Sequence, residues 1–136
     1  MQVAGITWHA LTLEPAQFAA TKKLMTQSFG LVPMIEREGI AVFSMPDGTL
    51  LELYLPQTVP AYGYNNALAF GFRVDDVEAA SRDVAKAGCE LLGEITRIPE
   101  LGYAYRHFRG PDGRVYGLNE QRAQSGTGAL AARSTS

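Results

Sequence analysis

A few side chains in the strand-like segments of this sequence have the chemistry for proton transfer or anion binding. Glu52 interrupts the apolar run Leu50–Leu55, and Arg73 follows the run Ala67–Phe72. A carboxylate in apolar surroundings rises in pKa toward neutral pH, which suits a general base. A guanidinium binds a carboxylate or phosphate through paired hydrogen bonds. A structural ion pair between Glu52 and Arg73 is the alternative for both residues.

Other reactive groups are scarce. The sequence has two histidines, His9 and His107, and a single cysteine, Cys89. One cysteine forms no internal disulfide, and its place after the helix-ending Gly88 favours a buried, inert thiol over a nucleophile. The sequence contains no Gly-x-Ser-x-Gly motif. Nucleophilic catalysis is therefore not the chemistry that this sequence indicates.

A repeat indicates which elements position these residues. Segment 43–53 matches segment 108–118 at five of eleven positions, and both contain Pro-Asp-Gly. This tripeptide forms tight turns, so each copy predicts a strand, a turn and another strand. Upstream, residues 11–13 resemble 72–74, and each precedes a helical pattern. The order of elements is therefore the same in both halves.

Each half is predicted to contain one helix that covers one side of a sheet. The first begins at Pro15 and ends at Gly30, and the second begins after Asp75 or Asp76 and ends at Gly88. Their predicted apolar faces consist of Phe18, Thr21, Met25 and Phe29 in the first helix, and Val77, Ala80, Val84 and Ala87 in the second.

The predicted fold class is α+β, with two tandem βαβββ units. The strands are expected at about 5–13, 32–37, 40–45, 49–55, 67–74, 90–96, 103–109 and 114–119. The second unit is seven residues longer between its helix and its matched hairpin, which predicts an extended loop at 97–102, a possible lid.

These paired units, their Pro-Asp-Gly turns and the segment Phe72–Ala80 resemble the glyoxalase I, bleomycin-resistance protein and extradiol dioxygenase superfamily, also called vicinal oxygen chelate proteins. The resemblance covers about residues 5–120 and predicts one domain over 1–120. Unit one spans about 5–55, a linker 56–66 and unit two about 67–120. Residues 121–136 are small and polar, and we expect a frayed tail there.

The resemblance implies a curled sheet around a cavity with helices outside. Strand alternation then predicts the side chains that face this cavity, because those on the other face of each strand pack under the helices. The first, fourth, fifth and eighth strands contribute Trp8, Ala10, Thr12, Glu52, Tyr54, Ala69, Gly71, Arg73, Gly117 and Asn119. On the seventh strand, Tyr105 and His107, with Tyr103, alternate along one face and either line the mouth of the cavity or are solvated.

Metal-dependent members of the family would place their ligands at Trp8, Glu52, Ala69 and Gly117. Of these four residues only Glu52 can bind a cation, and one carboxylate is too few for a metal site, so no cofactor is expected. The alternative is a divalent metal bound by His9 and Glu52, which needs a strand bulge that turns His9 inward. The small residues 69, 71 and 117 predict extra space, and Trp8 with Tyr54 suits a planar ligand unless Trp8 itself fills that space.

We therefore expect a small-molecule ligand that is bound or sequestered in the cavity. The alternative is an enzyme of lyase, isomerase or dioxygenase type, either metal-free with Glu52 as base or metal-dependent through His9 and Glu52. A net charge of −2 argues against nucleic acid. No apolar run approaches the length of a membrane span and no secretory signal is visible, so we expect a cytoplasmic protein. The family resemblance implies a homodimer.

Overall fold

The structure is a computed structural model that describes residues 1–122. The part of the predicted frayed tail beyond Arg122 lies outside the described residues. Eight strands and two helices follow one another in the predicted order, βαβββ in each of the two units. The strands are β1 Val3–Thr12, β2 Ile35–Arg37, β3 Ile40–Ser44, β4 Leu50–Tyr54, β5 Leu68–Val74, β6 Glu90–Ile98, β7 Tyr103–Arg109 and β8 Val115–Gln121. The helices are α1 Pro15–Lys23 and α2 Val77–Lys86.

All eight strands form one curled mixed sheet in the order β2-β3-β4-β1-β5-β8-β7-β6. Within each unit the first and last strands are parallel, as β1 with β4 and β5 with β8. The two units join through antiparallel pairing of β1 with β5, in which Ala10 lies opposite Ala69. The predicted α+β glyoxalase-like fold is confirmed, and both units of one chain contribute to a single sheet.

The second helix follows its sequence signals closely. Asp76 caps α2 because its carboxylate accepts hydrogen bonds from the backbone N–H groups of Glu78 and Ala79. The buried face of α2 contains Ser81 besides the predicted Val77, Ala80 and Val84, whereas Ala87 is exposed. Ala87 was predicted in this face, yet it lies beyond the last helical residue. The face packs against a core cluster that includes Val74, Ala104, Phe108 and Leu118.

The first helix changes geometry before it ends. After α1 the chain continues as a π-helical turn, Leu24–Ser28, and Gly30 follows with a positive φ of 69°. A π turn holds more residues than an α turn and rotates the following side chains. Phe18, before this turn, and Met25, near its start, pack on the core cluster of Ala41, Phe43 and Leu53. Phe29, predicted on the same face, follows the turn and is 61% exposed.

The predicted extended loop at 97–102 is wrong. Strand β6 continues to Ile98, and a short 3-10 turn, Pro99–Leu101, leads into Gly102 and β7. The register of the β6–β7 pair shifts between Leu92 and Thr96, which accommodates extra residues within the strand. The longer second unit thus has a longer hairpin. Among residues 1–122 no helix has the length and apolar character of a transmembrane span.

Candidate functional site

The concave face of the sheet encloses a cavity of about 920 Å³. Strands of both units line it, together with residues of the segment after α1 and with Leu101 from the turn between β6 and β7. Its lining is mostly apolar and aromatic. It consists of Trp8, Gly30, Leu31, Val32, Met34, Ile35, Arg37, Ile40, Val42, Ser44, Pro46, Gly48, Leu50, Glu52, Tyr54, Tyr64, Arg73, Ile98, Leu101, Tyr103, Tyr105, His107, Gln121 and Arg122.

Half of the side chains predicted for the site line this cavity. They are Trp8, Glu52, Tyr54, Arg73, Tyr105 and His107. The other six are outside the lining, namely Ala10, Thr12, Ala69, Gly71, Gly117 and Asn119. Ala10 and Ala69 are fully buried in a cluster with Trp8, and Asn119 is buried as well.

The extra space predicted above the small residues is filled. A Cβ atom on Gly117 would lie 3.0 Å from Trp8 Cε3, and one on Gly71 would lie 2.6 Å from Asn119 Oδ1. The indole and the carboxamide therefore occupy the volume that these glycines leave. Trp8 is 3% exposed, so it forms the floor of the cavity. The cavity lies above Trp8, toward the mouth of the half-barrel.

Glu52 is held in the floor by a neighbouring tyrosine. The Tyr54 hydroxyl donates a hydrogen bond of 2.5 Å to Glu52 Oε1. Alternate residues of β4 point to the same face, which brings these two side chains together. Burial raises the pKa of Glu52, and the hydrogen bond from Tyr54 opposes that rise. The pKa of Tyr54 is raised by its own burial and by the nearby carboxylate. Glu52 thus has the surroundings of a proton-transfer group.

His107 is a neutral imidazole at physiological pH. Burial lowers its pKa to about 4. The Tyr62 hydroxyl lies 2.5 Å from His107 Nδ1, and the ring stacks on Trp8 with centroids 5.2 Å apart. With its own hydrogen on Nε2, a neutral ring accepts a hydrogen bond at Nδ1 from the phenol O–H. His107 is therefore a positioned, uncharged part of the cavity wall.

Six rings form a continuous aromatic wall, with successive centroids 5.2 to 5.9 Å apart. In order they are Tyr103, Tyr105, His107, Trp8, Tyr64 and Tyr54. Offset and edge-to-face contacts at these distances are the favoured arrangements of aromatic pairs. The wall connects β7 of the second unit to β4 of the first.

Sequence reasoning missed Tyr62 and Tyr64 because the linker had no strand pattern to orient them. Asn65 fixes this segment. Its carboxamide accepts a hydrogen bond of 2.7 Å from Val115 N and donates one of 2.9 Å to Val115 O, as a neighbouring strand would. Asn65 and Asn66 have positive φ values of 57° and 73°, which asparagine tolerates better than most residues. The Asn-Asn pair was the available signal.

Arg73 extends over the cavity rim from β5. Its Nη2 donates a hydrogen bond of 3.4 Å to Gly48 O in the turn before β4. None of the ion pairs among residues 1–122 includes Arg73, so the alternative of an ion pair with Glu52 is not formed. Most of its N–H groups are left for other acceptors.

The four positions that family resemblance assigns to metal ligands hold a poor donor set. Trp8, Ala69 and Gly117 have no side-chain ligand atom, and Glu52 is already hydrogen-bonded. His9 is outside the cavity lining, and its Nδ1 lies 3.2 Å from Leu50 O. Among residues 1–122 no group of three or more His, Cys, Asp and Glu side chains converges as a metal site would require. These residues do not fit a catalytic metal.

Solved structures support the fold at low sequence identity. A methylmalonyl-CoA epimerase from Streptomyces coelicolor, in complex with 2-nitronate-propionyl-CoA, is similar with a TM-score of 0.62 and 17% identity, over 90% of this chain and 100% of that chain. The Mn(II)-bound glyoxalase from Novosphingobium aromaticivorans is similar with a TM-score of 0.60 and 17% identity, over 92% of this chain and 42% of that chain.

A hypothetical protein from Bacillus halodurans C-125 is similar with a TM-score of 0.63 and 14% identity, over 89% of this chain and 96% of that chain. No curated protein matches the sequence. The family model of the Glyoxalase/Bleomycin resistance protein/Dioxygenase superfamily matches residues 9–115. That match spans most of both units, and the chain belongs to this superfamily.

Proposed function

We propose that this protein binds one small organic molecule with a planar, conjugated body in its cavity, without a metal ion. The aromatic wall carries this proposal. It forms one side of a cavity of about 920 Å³, within the range that encloses drug-sized ligands. Tyr103 and Tyr105 are only partly buried, so their rings offer surface to a ligand. Flat apolar rings with polar edges favour a ligand that stacks and hydrogen-bonds.

The donor set supports binding without a metal. A metal would need several converging donor atoms, and Glu52 supplies a single carboxylate. Trp8, which has no metal-binding atom, stands at the position of a second metal ligand. Elemental analysis of the purified full chain is the direct test. Stoichiometric Zn, Ni, Mn or Fe, with loss of ligand binding on chelation, would contradict a metal-free site.

Ligand binding can be followed through the protein itself. Trp8 is the only tryptophan of the sequence and forms the cavity floor. A thermal-shift screen over aromatic antibiotics, thiol conjugates and small aromatic acids, followed by Trp8 fluorescence titration of the hits, would identify the class. Tyr105→Leu should weaken a planar hit about tenfold, since stacking at such rings contributes about 1 kcal/mol. Tyr116→Leu, on the outer face against Phe72, is the matched control.

A metal-free enzyme is the second candidate, and Glu52 is the observation that favours it. A buried carboxylate with a raised pKa in a ligand cavity has the properties of a general base. The similar epimerase and glyoxalase show that enzymes use this fold. Glu52→Gln separates the two functions. A binder keeps most of its affinity for a neutral ligand, whereas a base-catalysed reaction on an identified substrate falls by two or more orders of magnitude.

A further inference from the structure

The charges around the cavity are opposite in sign to the charge of the whole chain. The protein carries a net charge of −2. The cavity lining, however, includes three arginines, Arg37, Arg73 and Arg122, and Glu52 is its one carboxylate among the described residues. Low-dielectric walls concentrate such a local field within a cleft. The cavity is therefore electropositive in an acidic protein.

The carboxylate of Glu52 does not neutralise this field. It is hydrogen-bonded to Tyr54, and none of the ion pairs within residues 1–122 joins it to an arginine. Its buried position also favours the uncharged form. Arg122 is paired with Glu120 at 2.5 Å, and Arg37 is exposed in β2. Arg73 is left as the half-buried cation that faces the cavity with no paired carboxylate in the described structure.

The position of Arg73 relative to the aromatic wall sets the shape of a ligand. In the sheet register Arg73 lies beside Asn119, which lies beside Tyr105. Gly71, two residues earlier, lies beside Trp8 and Gly117, and Gly117 lies beside His107. Two residues along a strand span about 6.6 Å. The backbone of Arg73 therefore lies at the level of Tyr105, about 6.6 Å along the strands from the level of Trp8 and His107.

We propose that the ligand of this cavity is an aromatic oxyanion, a planar body whose carboxylate or phosphate group is bound by Arg73 beside the Gly48 turn. This inference rests on the proposed binding function and names its ligand class. The planar body lies along Tyr103 and Tyr105 toward His107. The oxyanion lies about 6.6 Å along the strands from the level of Trp8 and His107. It accepts hydrogen bonds from the guanidinium N–H groups that Gly48 O does not use.

Three probes with the same naphthalene body test the ligand class, namely 2-naphthoate, 2-naphthyl phosphate and the neutral 2-naphthamide. Their affinities for the full chain are measured by isothermal titration calorimetry at pH 7 and low salt. We expect one of the two anions to bind at least tenfold more tightly than the amide, because a charged hydrogen-bonded pair contributes at least that factor. The tighter of the two anions identifies the oxyanion as carboxylate or phosphate.

Variants of Arg73 test the residue. Arg73→Met should lower the affinity of the preferred anion tenfold or more and leave that of naphthamide unchanged. Arg73→Lys should give an intermediate loss, because lysine keeps the charge but not the planar fork. Arg82→Met, on the exposed face of α2, makes the same change of net charge away from the cavity and should alter neither affinity.

The wild-type protein supplies a test that needs no variant. The affinity for the preferred anion should fall as NaCl rises, while that for naphthamide should not. Equal affinities of amide and anions without salt dependence, or unchanged anion binding in Arg73→Met, would overturn the assignment of an oxyanion ligand and leave the proposed binding function intact. Failure of all three probes to bind wild-type protein at millimolar concentration would overturn both.

Discussion

The hydroxyl of Tyr54 donates a hydrogen bond of 2.5 Å to Oε1 of the buried Glu52, its neighbour two residues earlier on the same strand. Both residues face the cavity from β4, so the pair couples the protonation of Glu52 to the aromatic wall. A carboxylate that favours its protonated form when folded affects stability in a pH-dependent way.

Glu52 should make the protein less stable as pH rises. Its pKa in the folded protein is raised above the ordinary value of 4.5 by burial. Above pH 4.5 the unfolded chain loses this proton while the folded chain retains it, so the free energy of unfolding falls until the folded pKa is passed. Glu52→Gln should remove that fall in urea titrations from pH 4 to 8. Glu94→Gln, at an exposed position, should keep it, and an unchanged profile for Glu52→Gln would contradict the raised pKa.

His107 should act in the opposite direction. Its pKa of about 4 in the folded protein lies below the ordinary 6.5, so stability is complete above pH 6.5 and is lost as pH falls toward 4. Relative to His107→Gln, the wild type should lose up to about 3 kcal/mol between pH 7 and 4. Chemical shifts of the imidazole protons over the same range give the pKa directly, and titration near 6.5 would refute the prediction.

Asn65 should contribute to stability through both of its hydrogen bonds to Val115. Asn65→Ala removes them together with a weaker bond of 3.2 Å to Leu68 O, and it places alanine at a φ of 57°, so we expect a loss of about 2 to 3 kcal/mol. Asn66→Ala has a similar backbone cost at a φ of 73° but breaks no side-chain hydrogen bond described in residues 1–122. A loss for Asn65→Ala no greater than that for Asn66→Ala would mean that the bonds to Val115 contribute nothing.

Gly71 should not tolerate a side chain. A Cβ atom there would lie 2.8 Å from the carbonyl oxygen of Gly117 and 2.6 Å from Asn119 Oδ1. The backbone of a central strand cannot move away, so Gly71→Ala should cost 3 kcal/mol or more, about the upper end of overpacking losses. Gly63→Ala is the comparison, since nothing lies within 4 Å of a Cβ at that position and only its positive φ opposes the change. Thermal unfolding of both variants measures the difference.

The fold was accessible from the sequence because local signals agreed with each other. The two Pro-Asp-Gly turns, the Asp76 cap and the alternation in β1 and β5 each predicted an element that the structure contains. The errors arose where the backbone departs from regular geometry. A π-helical turn displaced Phe29, and a register shift within β6 absorbed the residues expected in a loop.

The site was harder to predict than the fold. Strand alternation gives the face toward which a side chain points, but not whether it lines the cavity or is buried beneath it. Ala69, Gly71 and Gly117 lie in the predicted strands. However, Asn119 fills the space beside Gly71 and Trp8 fills the space beside Gly117. Whether a large ring fills a gap or lines it depends on packing across several strands, which no single segment encodes. Tyr64 reaches the wall from a linker that Asn65 ties to Val115 by two hydrogen bonds, a long-range contact without a local pattern.

The antiparallel pairing of β1 with β5 brings two related but unequal units around one cavity. Arg73 stands where the first unit has Thr12, and Glu52 stands where the second unit has Gly117. A cavity made of two identical units would present every polar group twice and accept a ligand in either of two directions. Here neither Arg73 nor Glu52 has a charged counterpart in the other unit, so the side chains break the internal symmetry of the backbone. For the proposed binding function we therefore expect one ligand per chain, bound in a single direction.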